Sequence, residues 1–196
     1  MNLLRGVKVY LGGPVEASLD PNNWRNSITT ILEKMGMVVL NPLVKPAWMP
    51  PVDGVRQNEL KHILSQRGVT PSTISHDAIT IENDVARRYC LSLVRAADIL
   101  IINISHKTFS VGTWEEVTLA HDKPIFVICE DDIPSMWLYS MLGISSHIER
   151  ERYFKRDVNS VLSEFSVIND LHISNLEMTY FTTNDLFRWI FLTYNK

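Results

Sequence analysis

Residues 98–104 read Asp-Ile-Leu-Ile-Ile-Asn-Ile and give the clearest strand pattern in the sequence. It is apolar on both faces, which is typical of a central parallel strand. Working outward, further short apolar runs predict strands at 7–11, 38–40 and 124–129, and amphipathic patterns between them predict helices at about 22–35, 77–97 and 112–122. Strands that alternate with helices predict an α/β fold, a doubly wound parallel sheet of about five strands.

The remaining segments divide the chain. Asn22 or Asn23 can cap the first helix, and Gly36 can end it. Four prolines make residues 42–55 a loop, and a helical stretch at 56–66 follows. We therefore expect residues 1–150 to form one domain with an inserted loop and helix segment at about 42–80. Residues 151–196 are predicted to be a helical C-terminal extension, which packs on the domain or on a partner subunit because its last residues are too apolar for full exposure.

Composition narrows the functional classes. The chain has 196 residues, a formal net charge of -3 and two cysteines. This net charge does not favour the binding of nucleic acid, and no apolar run is long enough to span a membrane. Without a signal peptide, and with cysteines expected to be buried free thiols, a cytoplasmic location is predicted. The histidines lack metal-ligand spacing, so we expect neither a metal nor another cofactor.

The candidate chemistry lies at the carboxyl ends of the predicted strands, where open α/β sheets bind ligands. The loop after the central strand ends in Ser-Val-Gly-Thr at 110–113 and opens a helix that carries Glu115 and Glu116. Gly112 allows a ligand to approach the backbone closely, and a helix N-terminus favours anions. Adjacent glutamates on a helix point about 100° apart, so only one can face the crevice. The simpler explanation is that glutamates in a first turn complement the helix dipole.

Several motifs in fixed order resemble one known family. They are Tyr-Leu-Gly-Gly-Pro at 10–14, Trp-Arg at 24–25, Leu-Asn-Pro at 40–42, Ala-Ala-Asp at 96–98, Gly-Thr-x-x-Glu-x-x-x-Ala at 112–120 and Lys-Pro at 123–124. Together they resemble the nucleoside 2-deoxyribosyltransferase family, which includes the related deoxynucleoside 5'-monophosphate N-hydrolases. The resemblance implies a flavodoxin-like or Rossmann-like fold and a homodimer or higher homo-oligomer, with active sites completed by a neighbouring subunit.

The resemblance also implies roles for individual residues. Glu116 matches the nucleophilic glutamate, with Glu115 as the alternative, and Asp84 is carried over as a second catalytic group. Ser110 stands where the transferases have an aspartate and the N-hydrolases a serine, which favours a nucleotide over a free nucleoside. The family's aspartate before the central strand falls on Cys90. The predicted substrate-binding residues are Gly12, Gly13, Pro14, Arg25, Asn41, Trp48, Ser110, Gly112 and Thr113.

The implied reaction is cleavage or transfer at the N-glycosidic bond of a nucleoside or nucleoside 5'-monophosphate. Glu116 would attack C1' and form a glycosyl ester, while Asp84 or Glu82 assists the leaving base. Water as acceptor gives a hydrolase, and a second base gives a transferase. The alternative is a non-catalytic nucleotide-binding or sensor protein on the same fold. A match to cytokinin-releasing phosphoribohydrolases is poorer, because residues 109–111 lack their paired glycines.

Overall fold

The computed structural model describes residues 4–15, 20, 22–49, 59, 62–66, 78–104, 110–121, 123–129, 154–155 and 157–170. Five strands and four long helices alternate within these residues. They are β1 (Lys8–Gly12), α1 (Asn23–Lys34), β2 (Val38–Leu40), α2 (Ala78–Ala96), β3 (Ile99–Ile104), α3 (Val111–Leu119), β4 (Ile125–Cys129), β5 (Phe154–Lys155) and α4 (Val158–Asp170). Residues 62–66 are also helical, as predicted for that stretch.

The five strands form one parallel sheet in the order β2-β1-β3-β4-β5. The prediction of a doubly wound parallel sheet is therefore confirmed. The first connection runs from β1 outward to β2, whereas the later strands are added on the other side of β1. This reversal places a topological switch point between β1 and β3, where Leu11 pairs with Ile101 and Gly12 with Ile102. Ligands bind at such switch points in open α/β sheets.

Two apolar layers cover the sheet because side chains alternate along each strand. On one face, Val9 and Leu11 of β1 join the core formed with α1 and α4. On the other face, Tyr10 joins the core formed with α2 and α3. Helices therefore cover both faces, and β3 and β4 are apolar on both sides for that reason.

The ends of α1 follow the sequence prediction, with one difference in the cap. Asn22 is the N-cap residue, but its side chain makes no capping hydrogen bond. The Asp20 carboxylate instead accepts hydrogen bonds from the backbone N–H groups of Asn22 and Asn23, at 3.0 and 3.1 Å. At the other end, Gly36 has a φ of 86°. Glycine adopts this left-handed conformation without strain, so it ends the helix and turns the chain into β2.

The region after residue 150 contributes to the same core as the first half of the chain. The segment from 151 was predicted to be helical, but the short strand β5 comes first and α4 begins at Val158. β5 pairs with β4, and Phe165 of α4 lies 5.1 Å from Phe126 between ring centroids. β5 and α4 therefore belong to the same sheet and core as the first half of the chain, and the division at residue 150 stays a prediction. The rest of the predicted extension, from 171, and most of the 42–80 insertion lie outside the described residues.

Within the described part of the chain, no helix combines the length and the hydropathy needed to cross a membrane.

Candidate active site

The first turn of α3 positions the candidate glutamate. Ser110 is the N-cap of this helix, and its hydroxyl accepts hydrogen bonds from the Thr113 backbone N–H at 3.4 Å and from the Thr113 hydroxyl at 2.8 Å. Such a cap satisfies an N–H group that would lack a partner at the helix start and fixes where the helix begins. The side chain of Val117 is buried in the core. Glu116, one residue earlier, is thereby turned toward the end of β1.

The Glu116 carboxylate is held by a hydrogen bond from a buried tyrosine. The Tyr10 hydroxyl, on β1, donates to Glu116 Oε1 over 2.6 Å. This distance is in the short range that is typical of an O–H donor on a charged acceptor. Tyr10 itself is fully buried. The pair joins β1 to α3 across the switch point and fixes the direction of the carboxylate.

Two glycines at the end of β1 leave the room that this arrangement needs. A Cβ atom at Gly12 would lie 2.9 Å from Glu116 Oε2 and 2.5 Å from Ile102 Cδ1. A Cβ atom at Gly13, whose φ is 152°, would lie 2.9 Å from the Asn103 carbonyl oxygen. Any larger residue would displace the carboxylate or the strand. The glycine pair therefore serves close packing around Glu116, and Pro14 follows it half-buried.

Arg25 is fully buried beneath the same loop. Its Nε donates to the Leu11 carbonyl over 3.1 Å, and one terminal nitrogen donates to the Gly13 carbonyl over 2.9 Å. The sequence prediction had this residue contacting substrate. Its buried guanidinium instead holds the end of β1 in place, and a direct contact with substrate stays a prediction.

Burial sets the protonation behaviour of this cluster. Removal from water is the main cause that raises the pKa of Glu116 from its ordinary 4.5 to about 7, although the Tyr10 hydrogen bond and the charge of Arg25 oppose the change. Burial also raises the pKa of Tyr10 well above its usual value, so its hydroxyl keeps its proton. Arg25 has its pKa lowered to about 10 by desolvation and remains charged near neutrality. Glu116 is therefore poised between acid and carboxylate at neutral pH.

Lys45, in the loop after β2, contacts a cysteine and a tyrosine of α2. Lys45 Nζ lies 3.5 Å from Cys90 Sγ and 4.5 Å from the centroid of the Tyr89 ring. The Tyr89 hydroxyl donates to the Val44 carbonyl over 3.0 Å, which fastens the loop to α2. The charge of Lys45 lowers the pKa of Glu116, and that of Glu116 raises the pKa of Cys90. Lys45, Cys90 and Glu116 therefore influence one another electrostatically.

Two of the other acids named from the sequence, Glu115 and Asp84, form ion pairs away from Tyr10. Glu115 accepts hydrogen bonds from the Arg87 guanidinium, one of them from Nε at 2.8 Å. Asp84 accepts from Arg88 Nε at 2.6 Å and lies 3.8 Å from Arg87. Both pairs are at least one-third exposed. The structure thus separates the two adjacent glutamates as the helix geometry required, and it engages Asp84 in surface ion pairs.

The remaining predicted residues line the same edge of the sheet. The Asn41 side chain accepts from the Leu43 backbone N–H at 3.0 Å and shapes the turn after β2. Trp48 is 72% exposed and therefore free to stack on a ligand. Gly112 is exposed, and open space lies where its side chain would be. That openness fits the close approach of a ligand, whose contacts with these residues stay predictions.

Two functional candidates were missed in the sequence. Tyr10 was quoted in a motif without a role, yet its place opposite Val9 and Leu11 in the alternation directs it toward α3. Lys45 had no local signal, because its partners Tyr89 and Cys90 lie 44 and 45 positions later in the sequence. Among the described residues, no group of three metal-ligating side chains is close enough to hold a metal ion.

Comparison with known proteins gives similarity in structure alone. No protein-family model matches the chain, and no curated protein sequence matches it. Two solved 2-deoxyribosyltransferases are similar to this chain. The enzyme from Bacillus psychrosaccharolyticus is 13% identical over 86% of this chain and 94% of its own, with a TM-score of 0.46. That from Leishmania mexicana is 20% identical over 68% and 71%, with a TM-score of 0.38.

Proposed function

We propose that the protein cleaves or transfers at the N-glycosidic bond of a (deoxy)nucleoside or nucleoside 5'-monophosphate, with Glu116 as the nucleophile. The observation that carries this proposal is the Glu116 carboxylate at the β1–β3 switch point, bound by the Tyr10 hydroxyl at 2.6 Å. A carboxylate fixed in direction and mostly removed from water is suited to attack an electron-poor carbon.

The reaction proceeds in two displacements at C1'. A Glu116 oxygen forms a bond to C1' as the bond from C1' to the base nitrogen breaks, and the base takes the electron pair. Tyr10 holds the carboxylate in line and, as a donor, also keeps part of it ionised at neutral pH. The glycosyl ester is then opened by water, which gives hydrolysis, or by a second base, which gives transfer. Which acceptor prevails depends on how well water is excluded.

The start of α3 supports the nucleotide form of the substrate. The Ser110 hydroxyl lies at the helix N-terminus, and Gly112 leaves the space beside it open. Backbone N–H groups in the first turn of a helix attract anions, and a phosphate is the anion that distinguishes a nucleotide from a nucleoside. We therefore propose that a 5'-phosphate is bound at this turn.

A chromatographic screen of deoxynucleosides and their monophosphates, with and without a second free base, tests the proposal. We expect release or exchange of base by the wild type and none by Glu116→Gln. Glu115→Gln is the matched control, since Glu115 pairs with Arg87, and it should retain activity. Tight nucleotide binding without base release on prolonged incubation would instead establish the non-catalytic alternative, whose support is that Asp84 is engaged with arginines.

We further propose that the protein works in the cytoplasm as a homodimer or higher homo-oligomer. The two cysteines, Cys90 and Cys129, are both free thiols in the structure, which is typical of a reducing compartment. The oligomer is implied by the family resemblance. Light scattering coupled to size-exclusion chromatography should give a mass of at least two chains, and a monomeric mass would contradict the oligomer.

A further inference from the structure

Lys45 lies in the loop after β2, the strand that pairs with β1, and its ammonium has N–H donors to spare. Its contacts are the Cys90 thiol at 3.5 Å and the face of the Tyr89 ring at 4.5 Å. A thiol is a weak acceptor, and burial raises the pKa of Cys90, so the thiol stays neutral. Among the described residues, no carboxylate lies within ion-pair distance of this lysine. At least one N–H of the ammonium is therefore available to a ligand.

The other groups that act on Glu116 are already engaged. The Tyr10 hydroxyl donates to the carboxylate itself, and Arg25 is buried and donates to backbone carbonyls. Glu115 is paired with Arg87. Of the side chains that shift the pKa of Glu116, Lys45 is the one with an N–H group left to donate.

The departure of the base from C1' requires a proton donor. A base that leaves C1' takes the bonding electron pair and becomes an anion unless a donor meets it. A cation that is fixed by an aromatic face instead of a carboxylate has N–H groups left to donate to a ligand. The chain of contacts from Val44 through Tyr89 holds Lys45 at this place.

We propose that Lys45 is the proton donor to the leaving base, an inference that rests on the proposed function. As the bond from C1' to the base breaks, its electron pair passes to the base, and a proton passes from Lys45 Nζ to a nitrogen or oxygen of the base. A Glu116 oxygen forms the new bond to C1'. The neutral amine then takes a proton from the attacking water or from the N–H of an incoming base, which restores the ammonium.

The test compares two forms of whichever nucleoside the wild type cleaves. One is the ordinary nucleoside, and the other carries a methyl group on a ring nitrogen, N7 of a purine or N3 of cytosine. The methylated base is cationic and leaves as a neutral molecule, so it needs no proton. Lys45→Met should lower kcat/KM for the ordinary nucleoside by about 10²- to 10⁴-fold, and for the methylated form by less than about tenfold.

Two further variants keep the result interpretable. Lys45→Arg preserves the cation, but a guanidinium does not give up its proton. This variant should therefore lose activity on the ordinary nucleoside as Lys45→Met does, and recovered activity would overturn the inference. Glu82→Gln removes the other acid considered for this role, and should not distinguish the two substrates. Thermal unfolding of each variant, compared with the wild type, shows whether a lost activity reflects a lost fold.

Several outcomes would overturn the inference. These are equal losses on both substrates, a loss confined to 5'-monophosphates, which would assign Lys45 to the phosphate, or a substrate-dependent loss in Glu82→Gln instead. If the wild type releases no base at all, the proposed function fails and the role of Lys45 fails with it. If the wild type and Lys45→Met are equally active, only the inference fails.

Discussion

Removal of the Tyr10 hydroxyl should move the pH dependence of the proposed base release to higher pH. Glu116 must be ionised to attack, so activity of the wild type should rise through its pKa of about 7. Tyr10→Phe deletes the 2.6 Å hydrogen bond that favours the ionised form. A hydrogen bond to a charged group contributes about 1.5–3 kcal/mol, and about 1.4 kcal/mol corresponds to one pH unit. The rise in activity should therefore move to a pH of about 8–9.

The assay is kcat/KM for base release measured from about pH 5 to about pH 10, since this ratio reports ionisation in the free enzyme. Thr118→Val is the control, because this exposed hydroxyl on the helix of Glu116 donates to the Trp114 carbonyl and does not contact Glu116. In that variant the rise should stay at about 7. A Tyr10→Phe profile that keeps its midpoint, or moves to lower pH, would refute the reasoning that the tyrosine stabilises the carboxylate.

Three further substitutions test the packing around Glu116, its ionisation and the end of α2. Gly12→Ala places a Cβ atom against Glu116 and Ile102. The variant should be destabilised by about 1–3 kcal/mol and should release no base. Normal activity would contradict the close packing around Gly12. Glu116→Gln removes a carboxyl whose folded-state pKa is raised, so the wild type loses stability from that group as pH rises from 4.5 through about 7. Denaturant titration should find that the free energy of unfolding of the variant, relative to that of the wild type, increases by up to about 3 kcal/mol between acid and alkaline pH. A difference between the two proteins that stays the same across this range would count against a buried carboxyl. Lys123→Met removes three hydrogen bonds, at 2.7–2.8 Å, to carbonyls at the end of α2. It should lower the free energy of unfolding by about 1–3 kcal/mol without changing the pH profile, and a shifted profile would show coupling to the site.

Much of the fold could be predicted from the sequence because its strongest signals are local. β3 and β4 are continuous apolar runs, and such runs bounded by helical patterns indicate buried parallel strands. α2 was predicted to within one residue at each end for the same reason. β5 was missed because it has two residues, Phe154 and Lys155, which are too few to establish a period. Its place in the sheet depends on pairing with β4, which no local pattern encodes.

The site was predicted less completely than the fold. The sequence separated Glu116 from Glu115, because adjacent residues on a helix face different directions, and the structure places them on different partners. It did not predict that Arg25 is buried, although the spacing of Arg25 with Ile28 and Leu32, three and seven residues later, marks the buried stripe of α1. Arginine is seldom buried unless its donors are satisfied, and here two backbone carbonyls accept from it.

The side of the site around Lys45 could not be predicted at all. The loop after β2 meets α2 across 45 positions of sequence, and neither segment signals the other. Contacts of this kind arise from the docking of a loop onto a helix and become visible only in three dimensions. The contacts of Lys45 with Tyr89 and Cys90 are therefore seen in the structure and not in the sequence pattern.

Peptide mass spectrometry after a rapid acid quench tests whether Glu116 forms a glycosyl ester during turnover. We expect a mass increase equal to the transferred sugar, or sugar phosphate, on the peptide that contains Glu116. The increase should be present during turnover of the wild type and absent in Glu116→Gln, which should also release no base. Base release by Glu116→Gln, or an adduct on a peptide that lacks this residue, would contradict the claim.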